Sequence, residues 1–435
     1  MSLTFHIQPG GSLHGALRVP GDKSISHRSI MLGALADGVT EVTGFLEGED
    51  ALATMRAFRT MGVKIEGPEN GNVHIEGVGR EGLKQPQGLI DCGNSGTTMR
   101  LLTGLLAGQG FDVTLDGDAS LRKRPMERVA KPLRLMGADI DTGEQGRPPV
   151  HIKPVKSLKA IHYDLPVASA QIKSAILLAG LFAEGVTSVT EPEPTRDHSE
   201  RMLQGFDVAV QRLGATASIQ GGQRLKGTKI QVPGDISSAA FFLVAASIAP
   251  GSDLLLIDVG MNPTRTGVVD ILRLMGANIL VQNERIEGGE PIADLRVRYA
   301  PLHGIDVPET LVPLAIDEFP VLFVAAACAE GVTKVTGAAE LRVKESDRIQ
   351  VMADGLHLLG IDAQPTEDGM IIQGGQPFHG AVIESHGDHR IAMSFAVAAL
   401  RASSEMTVKD ADNVATSFPG FVSLAVLAGM GISAS

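Results

Sequence analysis

Six stretches of the chain repeat one pattern of polar and apolar positions. Each begins with a short polar turn and runs into small and apolar residues at helical spacing. A glycine then leads into alternating, strand-like text. The openings are PGDKSISHRSIMLGAL, DCGNSGTTMRLLTGLL, PVASAQIKSAILLAGL, PGDISSAAFFLVAAS, AIDEFPVLFVAAACA and GDHRIAMSFAVAAL. Strand-like text follows as GVTEVTG, GVTSVTE and GVTKVTG, and a second, amphipathic helix is predicted to close each repeat at MGVKI, MGADI, LGATA, MGANI, LGIDA and MGI. The repeats recur roughly every 70 residues, longer than a solenoid unit, so each is a small βα subdomain.

The phrase VPGD occurs at Val19–Asp22 and at Val232–Asp235, opening repeats one and four. In a pseudo-symmetric chain these mark the places where the backbone crosses between lobes. This predicts one domain at 21–235 with repeats one to three. A second combines 1–20 with 236–435, holding an N-terminal strand and repeats four to six, with hinges near 19–22 and 232–236. A chain of 435 residues suits two domains of roughly 200 residues each.

Composition narrows the function. At 43% hydrophobic and 20% charged residues the chain is globular. Its longest apolar stretch, around Phe241–Ile248, is far short of the roughly 20 residues that span a bilayer, and MSLTFHIQPGG lacks a basic-then-apolar leader layout. Cys92 and Cys328 are too few for a disulfide framework or a cysteine zinc site. A cytoplasmic monomer with no membrane partner is expected. A net charge of −12, no Trp and two Tyr argue against nucleic acid, which asks for basic surface and stacking aromatics.

An acidic chain that binds anions must gather its cations locally. Helix N-termini favour anions and disfavour cations, yet Lys23 and Arg28, Arg100, Lys173 and Arg390 stand near four of the predicted helix starts. Repeat four, PGDISSAAFF, has none, so the fold itself does not need them. LRKRPMERVAKP, TRDHSERM and LRVKESDRI add Arg124, Arg128, Arg196, Lys344, Glu345 and Arg348, while Arg122, Lys123 and Arg201 read as solvated helix face. Gly77–Gly82 formally matches GxGxxG, but Pro86 follows and no helix is expected there. His386, Asp388 and His389 lack a third metal ligand, and no G-x-S-x-G elbow exists.

PGDKSISHR, NSGTTMRLL, KRPM, SAQIKSA, RDHSERM, DEFP, KESDR, GDHRIAMS and ATSFPGF stand in the order they have in the enolpyruvyl transferases. Over essentially its whole length the chain resembles that family, within it the branch acting on shikimate-3-phosphate. The resemblance implies a two-domain α/β fold, an inside-out α/β barrel of six βαβαββ-type repeats, three per domain. It implies transfer of the enolpyruvyl group of phosphoenolpyruvate to the 5-hydroxyl of shikimate-3-phosphate, by addition and elimination, without metal or cofactor.

By the same resemblance, Lys23, Ser24, Arg28, Ser169, Ala170, Gln171, Arg196, Asp317 and Lys344 bind shikimate-3-phosphate between the lobes. Lys23, Asn94, Gly96, Arg124, Gln171, Arg348 and Arg390 bind phosphoenolpyruvate. Asp317 is the implied base and Glu345 the implied acid, with Lys23 and His389 sharing in proton traffic. The chain departs from much of the family at Ala170, where a second serine is common, at Glu340 in place of an asparagine, and at Thr416, where part of the family places a lysine. The sister transferase acting on UDP-N-acetylglucosamine carries a loop cysteine that LDGDASLRKRPMERV lacks. A non-catalytic binder of phosphorylated acids would gain nothing from carboxylates at Asp317 and Glu345.

Overall fold

The computed structural model describes residues 2–435. The chain divides into two compact units, one formed by 21–232 and the other by 2–20 with 233–435. The crossings are held by short backbone contacts inside each unit. Val232 N donates to Thr43 O at 2.8 Å in the first, and Asp235 N donates to Pro20 O at 2.9 Å in the second. Gly234 pairs with Val259, which ties residues 233–235 to the second unit. A Cβ on Gly21 would lie 1.9 Å from the Gly44 carbonyl oxygen, so the first VPGD phrase admits only glycine there.

The first unit contains α1 (Lys23–Leu35), α2 (Glu49–Thr60), α3 (Gly96–Leu106), α4 (Glu127–Leu135), α5 (Ala170–Gly180) and α6 (His198–Gly205). The second contains α7 (Ile236–Ile248), α8 (Gly267–Leu274), α9 (Phe319–Cys328), α10 (Arg348–Leu358), α11 (His389–Ala398) and α12 (Phe421–Ala428). The odd-numbered helices are the six predicted openings. Asp22, Ser95, Ser169, Asp235 and Asp388 cap five of them with side-chain oxygens, satisfying N–H groups that the helix leaves open. α9 begins without such a cap and has Pro320 in its first turn, where a missing N–H costs nothing.

The opening helices form the middle of each unit. α7 is buried from Ile236 to Ile248 and α1 from Ile25 to Leu35, which is why these helices are rich in Ala, Gly and Ser rather than amphipathic. Each repeat contributes one main sheet of three to five strands. Strands such as Val150–Lys153 and Val186–Thr190 alternate buried residues with more exposed ones, so each turns one face to the helices and one outward. The sheets are mixed: Ala36–Thr43 runs antiparallel to Asn72–Val78 and parallel to Lys229–Gln231.

One predicted helix end is misplaced. LGATA, at Leu213–Ala217, does not close a helix. It forms the tight turn between antiparallel strands Val210–Leu213 and Thr216–Gln220, and the closing helix of that repeat is α6, upstream. Gly214 takes a positive φ of 58° here. Leucine followed by a left-handed glycine suits a helix C-terminus and a hairpin equally. Among the described residues no helix is long and apolar enough to cross a membrane.

Candidate active site

Each unit carries its own polar cluster, assembled largely at the starts of its helices. In the 21–232 unit, Asp22 Oδ1 accepts from Ile25 N at 2.9 Å and fixes the first turn of α1. Lys23 is the first residue of that helix, a poor place for a cation. An ion pair with Asp50, buried in the first turn of α2, offsets that cost. Arg28 is buried and held on three sides. Its Nε donates to Ser199 Oγ at 2.7 Å, Nη2 to Ser174 Oγ at 2.9 Å and Nη1 to the Ser24 carbonyl at 3.0 Å. His27, between them in sequence, faces inward with Nδ1 2.7 Å from Thr54 Oγ1, and burial beside Lys23 and Arg28 holds its pKa well below the ordinary value.

Ser95 caps α3, and Gly96 is its first residue. A Cβ at Gly96 would stand 3.0 Å from Arg100 Nη1 and 3.3 Å from Arg124 Nη1. Glycine therefore leaves this helix N-terminus to two guanidinium groups, an arrangement that suits an anion. Arg124 Nη2 donates to Asn94 Oδ1 at 2.8 Å, and Asn94 Nδ2 donates to Asp118 Oδ2 at 2.8 Å. Arg100 Nη1 donates to Gln171 Oε1 at 2.6 Å, and Gln171 Nε2 donates to Thr97 Oγ1 at 3.0 Å, which fixes the orientation of that carboxamide. Ser169 caps α5 just ahead of Ala170 and Gln171. Arg196 stands half-buried in the segment between the strand Val186–Thr190 and α6.

Lys173 departs from expectation. Read with the other cations as a surface for anions, it is fully buried, 3.0 Å from Glu191 Oε2 and 2.7 Å from Glu200 Oε1. Its charge is spent inside the protein. Arg122 and Arg201 are less free than a solvated face implies: Arg122 grips Asp116 through Nε at 2.9 Å and Nη2 at 2.6 Å, and Arg201 Nε donates to Asp197 Oδ1 at 2.9 Å.

In the other unit, Arg348 is the centre. It is 1% exposed at the first position of α10. Its Nε donates to Asp388 Oδ2 at 2.8 Å, and its Nη2 to Glu345 Oε2 at 2.7 Å and Asp388 Oδ1 at 3.1 Å. Its Nη1 lies 3.5 Å from Asp317 Oδ1. Lys344 Nζ is 3.4 Å from the same Asp317 oxygen and 3.9 Å from Glu340 Oε1. Asp388 also caps α11 by accepting from Arg390 N at 2.9 Å, and it takes a third partner in Ser346 Oγ at 3.0 Å. Burial disfavours the Asp388 carboxylate, but the Arg348 guanidinium outweighs burial and leaves its pKa below the ordinary range.

Arg390 differs from Arg348. Its Nη1 donates to the Asp317 carbonyl at 2.8 Å and lies 3.7 Å from Glu318 Oε1. Burial disfavours its charge, Glu318 only partly restores it, and the like charge of Arg348 opposes it, so its pKa is lowered. Arg348 shifts the other way, because Asp388 and Glu345 overcome its burial. A partly buried guanidinium whose nearest carboxylate oxygen is 3.7 Å away suits an anionic partner. His389 is buried beside Arg390 at the start of α11.

The structure thus gathers Lys23, Ser24, Arg28, Asn94, Gly96, Arg124, Ser169, Ala170 and Gln171 at three helix starts in one unit, and Asp317, Lys344, Glu345, Arg348, His389 and Arg390 at another three elements in the second. Sequence reasoning passed over Asp50, Thr97, Glu318 and the organising role of Asp388. Only Asp388 left a trace, standing immediately before a predicted opening helix where Asp22 and Asp235 also stand.

Two units of three repeats, with capped opening helices buried beneath mixed sheets and cations at the helix starts, define the enolpyruvyl transferase architecture. The enolpyruvyl transferase NikO from Streptomyces tendae shares that fold, with a TM-score of 0.80 at 17% identity over 100% of this chain and 99% of that one. The family model described as EPSP synthase (3-phosphoshikimate 1-carboxyvinyltransferase) matches residues 7–424, and the chain belongs to that family. It is 65% identical over 431 residues to a 3-phosphoshikimate 1-carboxyvinyltransferase of Alkalilimnicola ehrlichii, covering 99% of this chain and 97% of the relative. It is 63% identical over 433 residues to one of Methylococcus capsulatus, covering 100% and 99%. A solved EPSP synthase from Acinetobacter baumannii superposes with a TM-score of 0.91 at 63% identity over the whole of both chains.

Proposed function

We propose that the chain transfers the enolpyruvyl group of phosphoenolpyruvate to the 5-hydroxyl of shikimate-3-phosphate, releasing phosphate. The observation that carries this reading is the grouping of two carboxylates, Asp317 and Glu345, around the Arg348 guanidinium, with Lys344 on Asp317. Anion binding alone gains nothing from such carboxylates. Proton transfer needs both.

In this reading Glu345 protonates the methylene carbon of phosphoenolpyruvate while Asp317 takes the proton of the attacking hydroxyl. The C–O bond forms at the carbon bearing the phosphate, giving a tetrahedral intermediate. The Glu345 carboxylate then takes a proton back from the new methyl group, the double bond re-forms as the C–O bond to phosphate breaks, and the proton held by Asp317 goes to the departing phosphate. Atoms and charge balance without a nucleophile from the protein. Lys23, Ser24, Arg28, Ser169, the backbone at Ala170, Gln171, Arg196 and Lys344 hold the acceptor. Arg124, Arg348 and Arg390, with Lys23, Asn94, Gly96 and Gln171, hold the donor, and His389 tunes the proton transfers. Preset cations orient the reactants and stabilise charge in the transition state. The same reading puts the activity in the cytoplasm, on a monomer.

The test is phosphate release from phosphoenolpyruvate in chelator-treated buffer, with shikimate-3-phosphate or UDP-N-acetylglucosamine as acceptor. Release with shikimate-3-phosphate alone is expected. Release with the nucleotide sugar alone would overturn the acceptor, and release with neither would overturn transfer.

A further inference from the structure

The most deeply buried charges of the 21–232 unit lie in a cluster that the proposed chemistry does not use. Lys173, on the first turn of α5, is 0% exposed. Its Nζ lies 3.0 Å from Glu191 Oε2 and 2.7 Å from Glu200 Oε1. Arg212 completes the group from the sheet side, with Nη2 3.3 Å from Glu191 Oε2 and Nη1 3.6 Å from Glu200 Oε1. Two cations thus face two carboxylates. The Glu200 oxygens receive no aligned hydrogen bond, so that buried carboxylate is held by charge contacts alone. Lys173, Glu191 and Glu200 are desolvated while Arg212 stays partly exposed, and burying three ionic groups in this way is a poor route to stability.

What the cluster does secure is position. Glu191 directly follows the strand Val186–Thr190, and Glu200 lies in the first turn of α6. Between them runs PEPTRDHS, the segment that carries Arg196. Lys173 therefore pins that segment at both ends with one ammonium group. Thr195, adjacent to Arg196, donates its hydroxyl to Glu191 and fixes the segment again from inside. Neighbouring residues on the two helices, Ser174 after Lys173 and Ser199 before Glu200, repeat the link. Ser199 Oγ donates to Ser174 Oγ at 2.7 Å, and Arg28 Nε donates to Ser199 Oγ at 2.7 Å.

We infer that Lys173, Glu191 and Glu200 are positioning residues that set the place of Arg196 and thereby the affinity for the phosphorylated acceptor. This rests on the acceptor reading given above for Arg196. The cluster touches no substrate. Its work is to hold one guanidinium where a phosphate must meet it.

The test separates position from stability. Lys173→Met alone strands two buried carboxylates and should lower the melting temperature. Adding Glu191→Gln and Glu200→Gln removes those charges and should recover the melting temperature. The Km for shikimate-3-phosphate should nonetheless stay raised at least tenfold, with the Km for phosphoenolpyruvate within twofold of the parent. In an Arg196→Ala background the triple change should add no further rise, since both act through one group. Recovery of the acceptor Km along with the melting temperature would overturn the inference, as would a full further rise without Arg196. Should the triple variant not fold, Thr195→Val cuts only the inner link. A several-fold rise in acceptor Km at unchanged melting temperature is expected there, and no rise would overturn the inference. Parent enzyme that releases no phosphate with shikimate-3-phosphate would instead sink the acceptor reading itself.

Discussion

Asp388 accepts two hydrogen bonds from Arg348, one from Nε at 2.8 Å and one from Nη2 at 3.1 Å, and both residues are buried. The same carboxylate caps the helix that carries Arg390. One side chain thus holds the Arg348 guanidinium directly and fixes the first turn of the helix that carries Arg390 through the Arg390 backbone N–H. Asp388→Ala should cost about 3–5 kcal/mol of stability, because it leaves a buried charge without its main partner. Asp388→Asn keeps a good cap and should cost less. Urea denaturation checks both, and an alanine variant as stable as the parent would refute the arrangement. With its pKa held below 3.8, Asp388 contributes stability that is fully present above that pH and is lost as pH falls through the folded value.

Arg124 should matter to the donor rather than the acceptor. Its Nη2 is oriented by Asn94, and its Nη1 lies beside the space that Gly96 leaves open. Arg124→Ala removes a charged hydrogen-bond partner worth about 1.5–3 kcal/mol. The Km for phosphoenolpyruvate should therefore rise by about 10- to 150-fold, with the acceptor Km little changed. Steady-state kinetics with each substrate varied in turn decides it.

Asp317→Ala should reduce kcat by about 10²- to 10⁴-fold, the usual contribution of a general base. Arg348 keeps Asp388 and Glu345 in that variant, so the cluster should hold together. Calorimetric titration with shikimate-3-phosphate should show binding close to the parent. Near-normal turnover would remove Asp317 from the role of base.

His27 should make the first unit sensitive to acid. Its pKa lies well below the ordinary 6.5 because the ring is buried beside Lys23 and Arg28. Below pH 6.5 the unfolded chain takes up a proton there that the folded chain refuses. Stability is then fully present above about pH 6.5 and falls as pH drops toward the folded value, by at most about 1.4 kcal/mol per pH unit. His27→Gln should flatten that slope between pH 6.5 and 5 in denaturation experiments. An unchanged slope would assign the acid sensitivity elsewhere.

Thr187 offers a stabilising change. Its hydroxyl is fully buried and has no hydrogen-bond partner in the protein, and Thr40 and Thr333 stand the same way in the matching strands of two other repeats. Replacing an unpaired buried hydroxyl by a methyl of the same shape relieves its desolvation penalty. Thr187→Val should raise stability by about 1 kcal/mol, read from the denaturation midpoint. A loss of that size would show that the hydroxyl is satisfied in solution.

The sequence exposed most of the architecture because its devices are local. Capping acts within a few residues, so Asp22, Ser95, Ser169, Asp235 and Asp388 could be read as helix starts from their neighbours alone. Where a local pattern has two uses, that reading failed. Leu213 and Gly214 look like the end of a helix and are the turn of a hairpin. Among the candidate site residues, Lys23 and Lys173 look alike in sequence, each a cation on the first turn of an opening helix. One pairs with Asp50 while still partly exposed, and the other is sealed between Glu191 and Glu200.

By itself, then, the chain determined six repeats and their capped opening helices, and it marked where cations cluster near those helix starts. Those follow from hydrogen bonding and hydrophobic periodicity over short separations. Which cations remain for a ligand and which are consumed internally was decided only by the tertiary structure. Coulomb energies depend on distance and burial, and neither Glu191 and Glu200 around Lys173 nor Asp388 around Arg348 is near its partner along the chain. Folding brings them together, and removal of water at those points fixes what each charge can do.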